Sequence, residues 1–312
     1  MMKKFCLLIV LLGCSVGNIR SWGFLTHRIV NQNACLALPK PLFQFYRKNI
    51  QYLIDHATDP DNRRYMVEQE ACKHFIDCDF YERQVPLDTI CKNWNDAVCQ
   101  YSEDTLLKHG IVPWQCIKMV HWLKSAFQER NLTKILKLSA DLGHYVADAH
   151  VPLHTSSNYN GQKTNQHGIH ALWESRIPEL FIEQYPIYVS EVTFLPDYSM
   201  EIWKSVEESF SLVDKVLLFE KLSKLEISEN QQFVFIQKGS QIIKKESELL
   251  IRNYERKLGE MVFLRIKKSI QMVANTWYTA YLLAGEPDLT EIEKLKPPIE
   301  VTLEEISNHV HR

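Results

Sequence analysis

From Trp22 onwards, apolar residues recur at intervals of three and four, and this spacing restricts the possible folds more than any other feature of the chain. Such an interval gathers apolar side chains on one face of an α-helix, whereas a half-buried strand alternates at every second residue. The pattern is clearest in HRIVNQNACLAL, WQCIKMVHWLKSAF and LTKILKLSADLGHYVADA. It predicts amphipathic helices that each bury one face.

The C-terminal half continues the pattern. SQIIKKESELLIRNYERKL and MVFLRIKKSIQMVANTWYTAYLLAG are long and rich in helix-forming residues, and Gly285 gives the last helix a suitable stop. No alternating strand pattern of comparable length accompanies them. A chain of 312 residues with 46% hydrophobic content can bury a sizeable core. We therefore predict an all-α fold, a single multi-helix domain over residues 22–285, followed by a charged C-terminal extension over residues 286–312.

The first 21 residues have the composition of a signal peptide. Lys3 and Lys4 precede the apolar run FCLLIVLLGCSV, which is too short to cross a bilayer but suits a signal-peptide core. No later segment is apolar enough to be a transmembrane segment. We expect cleavage after Ser21, with Trp22 as the new N-terminus, and an exported protein, secreted or periplasmic. The stretch LLGC leaves a second interpretation open, a lipoprotein anchored through Cys14.

Charge and cysteine content narrow the classes of partner and of metal site. Without Lys3, Lys4 and Arg20, 33 of the 36 basic residues remain against 38 acidic ones, so the surface does not attract polyanions in general. Of the eight cysteines, six follow the signal peptide. An even number permits disulfides in an exported protein, and free buried cysteines are the alternative. None of the six is spaced as CxxC, so we do not expect a thiolate zinc site.

The segment GHYVADAHVPLH concentrates metal-binding side chains. His144 and Asp148 lie four residues apart on a predicted helix, so they project from the same face, as two ligands of one metal should. Pro152 ends that helix, and His154 then returns from the following segment. His150 faces a different side, so we expect it to support the ligands rather than bind the metal.

Further candidate ligands lie on both sides of this segment. His170 and Glu174 repeat the spacing of four, although one such pair alone is weak evidence because these pairs are common on helix surfaces. Upstream lie His27, Asp59 and His74. Together the candidates offer imidazole and carboxylate groups without thiols, a donor set that zinc accepts. Shared carboxylates indicate a site with several metal ions.

In this order and spacing the residues resemble the superfamily that unites bacterial zinc-dependent phospholipases C with the single-strand-specific three-zinc nucleases. The resemblance extends over nearly the whole chain after residue 21. It implies an all-helical fold with a trinuclear zinc cleft, a tryptophan at the mature N-terminus and three Zn²⁺ ions per chain. By this resemblance, the first zinc would be held by Trp22, through its amine and carbonyl, His27 and Asp148. The second would be held by Asp59, His74, His144 and Asp148, and the third by His154, His170 and Glu174.

The resemblance also implies hydrolysis of a phosphate ester. Zinc polarises phosphoryl oxygens, lowers the pKa of water and stabilises the leaving oxygen. Asp59 would align or deprotonate the attacking water and is the predicted catalytic residue. Asp55 and Asp61 remain alternatives to Asp59, because all three lie in one short stretch.

The motifs point to two kinds of ester. Glu174 in HALWE is similar to the phospholipases C, whereas DAHVPLH and HFID are similar to the nucleases, and the acidic balance favours lipid. We predict a monomeric hydrolase, a phospholipase C-like phosphodiesterase, with a single-strand-specific zinc endonuclease acting on nucleic acid as the alternative. A non-catalytic helical zinc-binding protein is the lower alternative. His154, His170 and Glu174 leave a fourth zinc position open, which favours an enzyme.

Overall fold

The computed structural model describes residues 23–239 and 241–294, and within these residues it is all-α apart from one two-stranded sheet. The helices are α1 (Phe24–Ala37), α2 (Leu42–Lys48), α3 (Ile50–Asp55), α4 (Asp59–Arg63), α5 (Cys78–Tyr81), α6 (Trp94–Tyr101), α7 (Glu103–His109), α8 (Val112–Gln128), α9 (Leu132–Asp148), α10 (Ile169–Ala171), α11 (Ile177–Phe181), α12 (Tyr198–Phe210), α13 (Val213–Leu225), α14 (Glu248–Leu258), α15 (Met261–Leu283) and α16 (Leu289–Lys294). The strands are β1 (Phe233–Lys238) and β2 (Gln241–Glu246). The prediction of an all-α fold is confirmed.

The core forms around α9, which packs against α1, α8 and α15. Trp277 of α15 illustrates this packing, since its indole is fully buried, stacks on the ring of Tyr46 and donates through Nε1 to Ser139 O at 3.1 Å. The hydroxyl groups of Tyr46 and Ser139 are 2.7 Å apart, so both polar groups of this aromatic pair are satisfied inside the core. Buried residues of these four helices thus belong to one continuous core.

Gly143 allows α1 to approach α9 closely. A Cβ atom at this position would lie 2.0 Å from Oδ1 of Asn31, so a larger residue would displace the Asn31 amide. The amide of Asn31 donates to Leu53 O at 3.1 Å and to Ala140 O at 3.3 Å, which ties α1 to α3 and α9. His27 lies one turn before Asn31, and His144 directly follows Gly143, so this contact brings the two histidines together.

The hairpin of β1 and β2 corrects the helix prediction for residues 240–258. The structure splits this segment into β2 and α14, and the side chain of Ser247 caps α14 by accepting a hydrogen bond from Leu250 N at 3.2 Å. The β-branched pair Ile242 and Ile243 suits a strand, because stiff side chains of this kind fit a pleated surface. The apolar residues on either side of Ser247 therefore belong to two elements.

All six cysteines within the described residues are free: Cys35, Cys72, Cys78, Cys91, Cys99 and Cys116. Of the two predicted alternatives, the structure thus has unpaired thiols. Burial raises the pKa of Cys35 to about 12 and that of Cys72 to about 11, so these two remain protonated.

Both ends of the chain carry predictions that fall partly outside the described residues. The predicted signal peptide, Cys14 and Trp22 lie outside them, as do residues 295–312. Of the predicted C-terminal extension, α16 is described, and it packs against α2 with Leu289 and Ile292 buried. Within the described part of the chain, every helix is too short or too polar to span a bilayer.

Candidate metal centre

Asp148, in the last turn of α9, lies at the centre of a buried group of histidines. Its Oδ2 atom is 2.9 Å from Nδ1 of His74 and 3.3 Å from Nε2 of His144. Its Oδ1 atom is 3.5 Å from Nε2 of His27 and 3.7 Å from Nδ1 of His154. Burial alone would raise the pKa of Asp148, but His144 and His154 outweigh it and hold the pKa well below its usual range. Asp148 is therefore an ionised carboxylate whose two oxygens face different histidines.

Asp61 completes a four-residue group with His74, His144 and Asp148. Its Oδ1 atom lies 3.8 Å from Nδ1 of His74 and 3.7 Å from Nε2 of His144. The carboxylate is buried, yet neither of its oxygens accepts a hydrogen bond from any residue in the described part of the chain. A buried carboxylate without a donor is costly, and a cation between these four side chains would remove that cost. The four side chains fit a metal ion of the kind predicted.

Asp59, the predicted ligand and catalytic residue, lies outside this group in the structure. Its Oδ2 atom lies 2.6 Å from Nδ1 of His56, and its side chain is 36% exposed. Asp59 begins α4 and Asp61 follows two residues later, about 200° around a helix, so only one of the two can face the histidines. The third acid considered, Asp55, is exposed and accepts a hydrogen bond from Gln51 at 3.0 Å. The sequence kept Asp61 as an alternative to Asp59, because a sequence does not determine the register of a helix as short as five residues.

His27 joins the group from α1. Its ring stacks on that of His144, with centroids 3.8 Å apart, and donor atoms of His27, Asp61 and His144 all lie within 4.8 Å of one another. Burial lowers the pKa of His27 well below its usual value, so the ring is neutral and able to bind a cation. Trp22 lies outside the described residues. The next residue, Gly23, is buried and donates its backbone N–H to Glu174 O at 3.3 Å.

A third group consists of His154, His170 and Glu174. Nε2 of His154 is 2.7 Å from Oε1 of Glu174, and Nε2 of His170 is 2.9 Å from Oε2. His154 lies in a short 3₁₀ turn, Pro152–Thr155, that follows α9, as expected from Pro152. Glu174 lies in a π-helical turn, Leu172–Arg176, between α10 and α11. Such turns are rare and often occur at functional sites. The structure brings these three predicted ligands together.

Three of the histidines are oriented by backbone carbonyl groups. The Nδ1–H groups of His144, His154 and His170 donate to Ala57 O, His74 O and Tyr159 O at 2.9, 2.5 and 3.2 Å. With Nδ1 engaged in this way, each ring would offer the Nε2 lone pair to a cation once the Nε2 proton is displaced. Metal-binding histidines are commonly held in this way. The tautomers therefore fit cation binding, although the sequence does not reveal these partners.

The imidazoles of His144 and His154 hold protons unusually strongly in the absence of a cation. Burial disfavours the charged form of His144, but Asp148 and Asp61 outweigh it and raise its pKa to about 9. The same balance, with Asp148 and Glu174, raises the pKa of His154 to about 9. In the metal-free protein, the protonated imidazoles thus neutralise the negative charge of these carboxylates, and a metal ion would displace the protons.

His150 takes no part in the three groups. Its Nδ1–H donates to Val146 O in the last turn of α9 at 2.7 Å. Its carbonyl accepts from Nε of the buried Arg265 at 2.8 Å, and this arginine also pairs with Glu208 at 2.9 Å. His150 therefore supports the end of α9 through its backbone, which agrees with its predicted place outside the ligands.

A buried ionic network, which the sequence analysis missed, holds α4 against α9. Arg63 donates from Nη1 and Nη2 to the two carboxylate oxygens of Asp141 at 3.2 and 3.0 Å, and to Glu70 at 3.2 Å. Tyr145 donates its hydroxyl to the same Glu70. Arg63 lies two residues after Asp61, so the network fixes the helix that carries this carboxylate. The available sequence signal was Asp141, an acid one turn before His144 on α9.

A cavity of about 280 Å³, here termed the cleft, opens onto the candidate ligands. It is lined by Arg64, His74, Phe75, Asp77, Lys108, Leu153, His154, Ser157, Tyr159 and His170. Two of these side chains, Arg64 and Lys108, are cationic and suit an anionic phosphate. A larger cavity of about 420 Å³ lies between α2 and α16, and none of the candidate ligands lines it.

Comparisons with known proteins give little further information. No protein-family model matches the chain, and no curated protein is detectably similar to it in sequence. Among solved structures, the chain is similar to the alpha-toxin of Clostridium perfringens from the avian strain SWCP, with a TM-score of 0.44 and 13% sequence identity. The match covers 84% of this chain and 65% of the toxin chain, so this chain spans less than two thirds of the toxin's length.

Proposed function

We propose that this chain is a zinc-dependent phosphodiester hydrolase that cleaves phospholipids by a phospholipase C-type reaction. The observation that carries the proposal is the set of three neighbouring donor groups, the first two of which share Asp61 and His144, beside a cleft with two cationic side chains. Imidazole and carboxylate donors without thiolate suit zinc, and a group of three ligands leaves a position open, as catalytic zinc sites do.

The proposed ligand sets follow the predicted ones with one exchange. Trp22, His27 and Asp148 would hold one zinc ion. Asp61, in place of Asp59, would hold a second together with His74, His144 and Asp148. His154, His170 and Glu174 would hold the third. Asp148 would bridge two ions through its two oxygens, which face different histidines.

Zinc held by these residues would supply Lewis acidity, which polarises phosphoryl oxygens and lowers the pKa of water for attack on a phosphodiester. The chain's own residues would orient the ester. Arg64 and Lys108 line the cleft and would bind the phosphate charge. Asp61 has a second oxygen, Oδ2, that is buried without a hydrogen-bond donor among the described residues. It would accept the proton of the attacking water.

Exposed apolar side chains beside the cleft support a lipid substrate. Tyr65, Met66 and Val67 are 64%, 71% and 38% exposed, and they directly follow Arg64 of the cleft. Exposed apolar groups in a row commonly mark surfaces that contact apolar partners or membranes.

A second candidate, single-stranded nucleic acid, is favoured by one observation. Tyr159 lines the cleft with a 38% exposed ring, on which a base would stack.

Parallel turnover assays would test the proposal. The zinc-loaded protein is offered phosphatidylcholine, single-stranded DNA and RNA at matched concentration and salt, before and after chelation. We expect release of the phosphorylated head group to exceed nucleic-acid cleavage and to stop on chelation with helicity retained. Rapid nucleic-acid cleavage with inert lipid would support the nuclease instead, and no turnover of any ester would support a non-catalytic zinc protein.

A matched pair of histidine variants sharpens this assay. His170→Ala removes a proposed ligand, so we expect turnover to fall by more than about 100-fold, beyond the range typical of residues that only support a ligand. His167→Ala removes an exposed histidine three residues earlier and should leave turnover unchanged. Equal activity of the two variants would remove His170 from the proposed site.

The proposed role of Trp22 depends on export and cleavage after Ser21. A free α-amine has an ordinary pKa of about 7.7 to 8.0 and binds a metal once deprotonated. The hydrogen bond from Gly23 to Glu174 supports this role, since it holds the residue after Trp22 against the third donor group. Intact mass of secreted protein should begin at Trp22. An added Ala before Trp22 should lower zinc content by one ion, and unchanged content would contradict the role.

A further inference from the structure

The hairpin formed by β1 and β2 exposes apolar side chains on both of its faces. Phe235 and Ile242 are 71% and 74% exposed, and Val234 and Ile236 are 42% and 44% exposed. In the observed register, Phe235 pairs with Lys244 and Ile236 pairs with Ile243. Neighbouring residues of one strand point to opposite faces, so Phe235 and Ile242 lie on one face, and Val234 and Ile236 on the other.

A two-stranded hairpin that exposes apolar side chains on both faces is not expected to remain uncovered in water. Isolated hairpins are marginally stable at best, and exposed apolar strands commonly mark a surface that is covered by a partner. At its base the hairpin is joined to the domain, for example by Ser247 N, which donates to Gln232 O at 2.9 Å. Among the described residues, nothing buries Phe235 or Ile242.

The apolar surface extends to the neighbouring helix. Leu218, Leu222 and Leu225 of α13 are 50%, 38% and 74% exposed. Their spacing of four and three puts them on one face of the helix. The C-terminal end of α13 meets the base of the hairpin, since Lys224 O accepts from Gln232 Nε2 at 2.9 Å. Helix and hairpin therefore present neighbouring apolar surfaces.

The charges of the hairpin indicate which partner would cover it. The segment 233–246 contains Lys238, Lys244 and Lys245 against a single acid, Glu246, in a chain that is acidic as a whole. The Nζ atom of Lys244 lies 3.7 Å from the ring centre of Phe233, so a positive charge is held on the same face of the hairpin as the aromatic side chains. Apolar groups that enter a bilayer beside lysines that meet anionic head groups are typical of interfacial membrane binding.

The base of the hairpin also lies near the cleft. Glu246 lies against Gly168, where a Cβ atom would be 3.5 Å from its Oε1 atom, and Gly168 is two residues before His170. The exposed stretch from Tyr65 to Val67 follows Arg64, another residue of the cleft. A membrane that received the hairpin would therefore lie close to the candidate metal centre.

We propose that the hairpin docks this protein on an anionic lipid bilayer by inserting Phe235 and Ile242, with Lys244 of the same face at the head groups. This docking goes beyond the proposed function, because it requires neither zinc nor turnover. It would increase the local concentration of lipid at the cleft if the substrate is a phospholipid.

Vesicle sedimentation tests the docking independently of activity. The full chain is mixed with vesicles of phosphatidylcholine alone or with phosphatidylserine added, with and without EDTA, at low and high salt. We expect binding to the anionic vesicles, unaffected by EDTA and weakened by salt. A chain that does not sediment with the anionic vesicles would overturn the proposal, whether or not it hydrolyses lipid.

Matched variants distinguish vesicle binding through the hairpin from nonspecific binding through other exposed apolar residues. Phe235→Ser/Ile242→Ser should lower the bound fraction at least about 10-fold, because two inserting side chains are lost. Leu36→Ser/Met200→Ser, at positions 51% and 61% exposed on α1 and α12, should bind as the unmodified chain does. Turnover of the soluble ester bis(p-nitrophenyl) phosphate should be equal in all three proteins. Unchanged vesicle binding by the hairpin variant would overturn the proposal. Light scattering would also overturn it if the unmodified chain forms dimers, the hairpin variant does not, and no vesicle binding is seen.

Discussion

At the scale of single residues, Asp61 and Asp59 differ in their surroundings although two positions separate them. Asp61 is buried beside His74 and His144, whereas Asp59 is partly exposed and paired with His56. A short turn-like stretch with several acids does not reveal which carboxylate points inwards. The structure shows that Asp61 is the carboxylate that points inwards, because its side chain is buried and accepts no hydrogen bond from the described residues.

This pair of carboxylates gives a direct prediction. Asp61→Asn removes the charge that the histidines face, so we expect the loss of about one zinc ion per chain and a fall in turnover of more than about 100-fold. Asp59→Asn should keep both zinc content and turnover. Metal analysis and a soluble phosphodiester assay on the two proteins measure this. The reverse result would restore Asp59 as the ligand.

Zinc binding should release protons from His144 and His154. Their pKa values of about 9 in the metal-free protein mean that both are protonated at pH 7.5, while a zinc ligand must be neutral. We expect about two protons released per chain from these two imidazoles. Calorimetric titration of metal-free protein with zinc, in two buffers of different ionisation enthalpy, measures the number. A binding heat that does not depend on the buffer would contradict this account.

The same pKa shifts set the pH dependence of metal-free stability. Both imidazoles titrate near pH 6.5 in an unfolded chain and near pH 9 in the fold. Their stabilising effect is therefore fully present below about pH 6.5 and is lost as pH rises through 9. We expect the Tm of the EDTA-treated protein to fall between pH 7 and pH 9.5, and zinc to reduce that fall. An EDTA-treated protein whose Tm rises over this interval would disagree.

At the scale of elements, the contact between α1 and α9 determines whether His27 meets His144. Gly143→Ala would put a Cβ atom 2.0 Å from Oδ1 of Asn31, so we expect the free energy of unfolding to fall by about 1–3 kcal/mol. In an Asn31→Ala background the same change should cost less, because the clashing amide is absent. Urea denaturation of the four proteins in this cycle measures the coupling. An equal cost in both backgrounds would show that the close approach is not the reason for the glycine.

The elements that could be predicted are those whose periodicity extends over several turns. Helices α1, α8, α9 and α15 follow from apolar residues at intervals of three and four. The spacing of four also identified His144 with Asp148, and His170 with Glu174. Elements that depend on tertiary contacts could not be predicted in this way. They are the register of α4, which Arg63 fixes through Asp141, and the hairpin, whose second strand falls within the segment 240–258 that the sequence predicts as a helix.

At the scale of the whole molecule, the donor residues come from segments far apart in sequence, and the fold gathers them at the end of α9. Asp148 contacts His74, which lies 74 positions earlier in the sequence, and His154 contacts Glu174, which lies in a separate helical turn. Motif order predicted these partners through a family resemblance, but the cleft and its cationic side chains appear only in three dimensions. The account thus depends on whether zinc occupies the space between the donor atoms.

Anomalous diffraction at the zinc edge from crystals of the zinc-treated protein, with metal content measured on the same preparation, tests this most directly. The account predicts three zinc peaks per chain near Asp148, with donor atoms of His74, His144, His154, His170, Asp61 and Glu174 at about 2.0–2.2 Å from the metal. Asp148 should contact two of the peaks. Protein purified without chelators that carries no zinc at these residues after zinc addition, or binds it only at exposed histidines such as His121, would contradict the account.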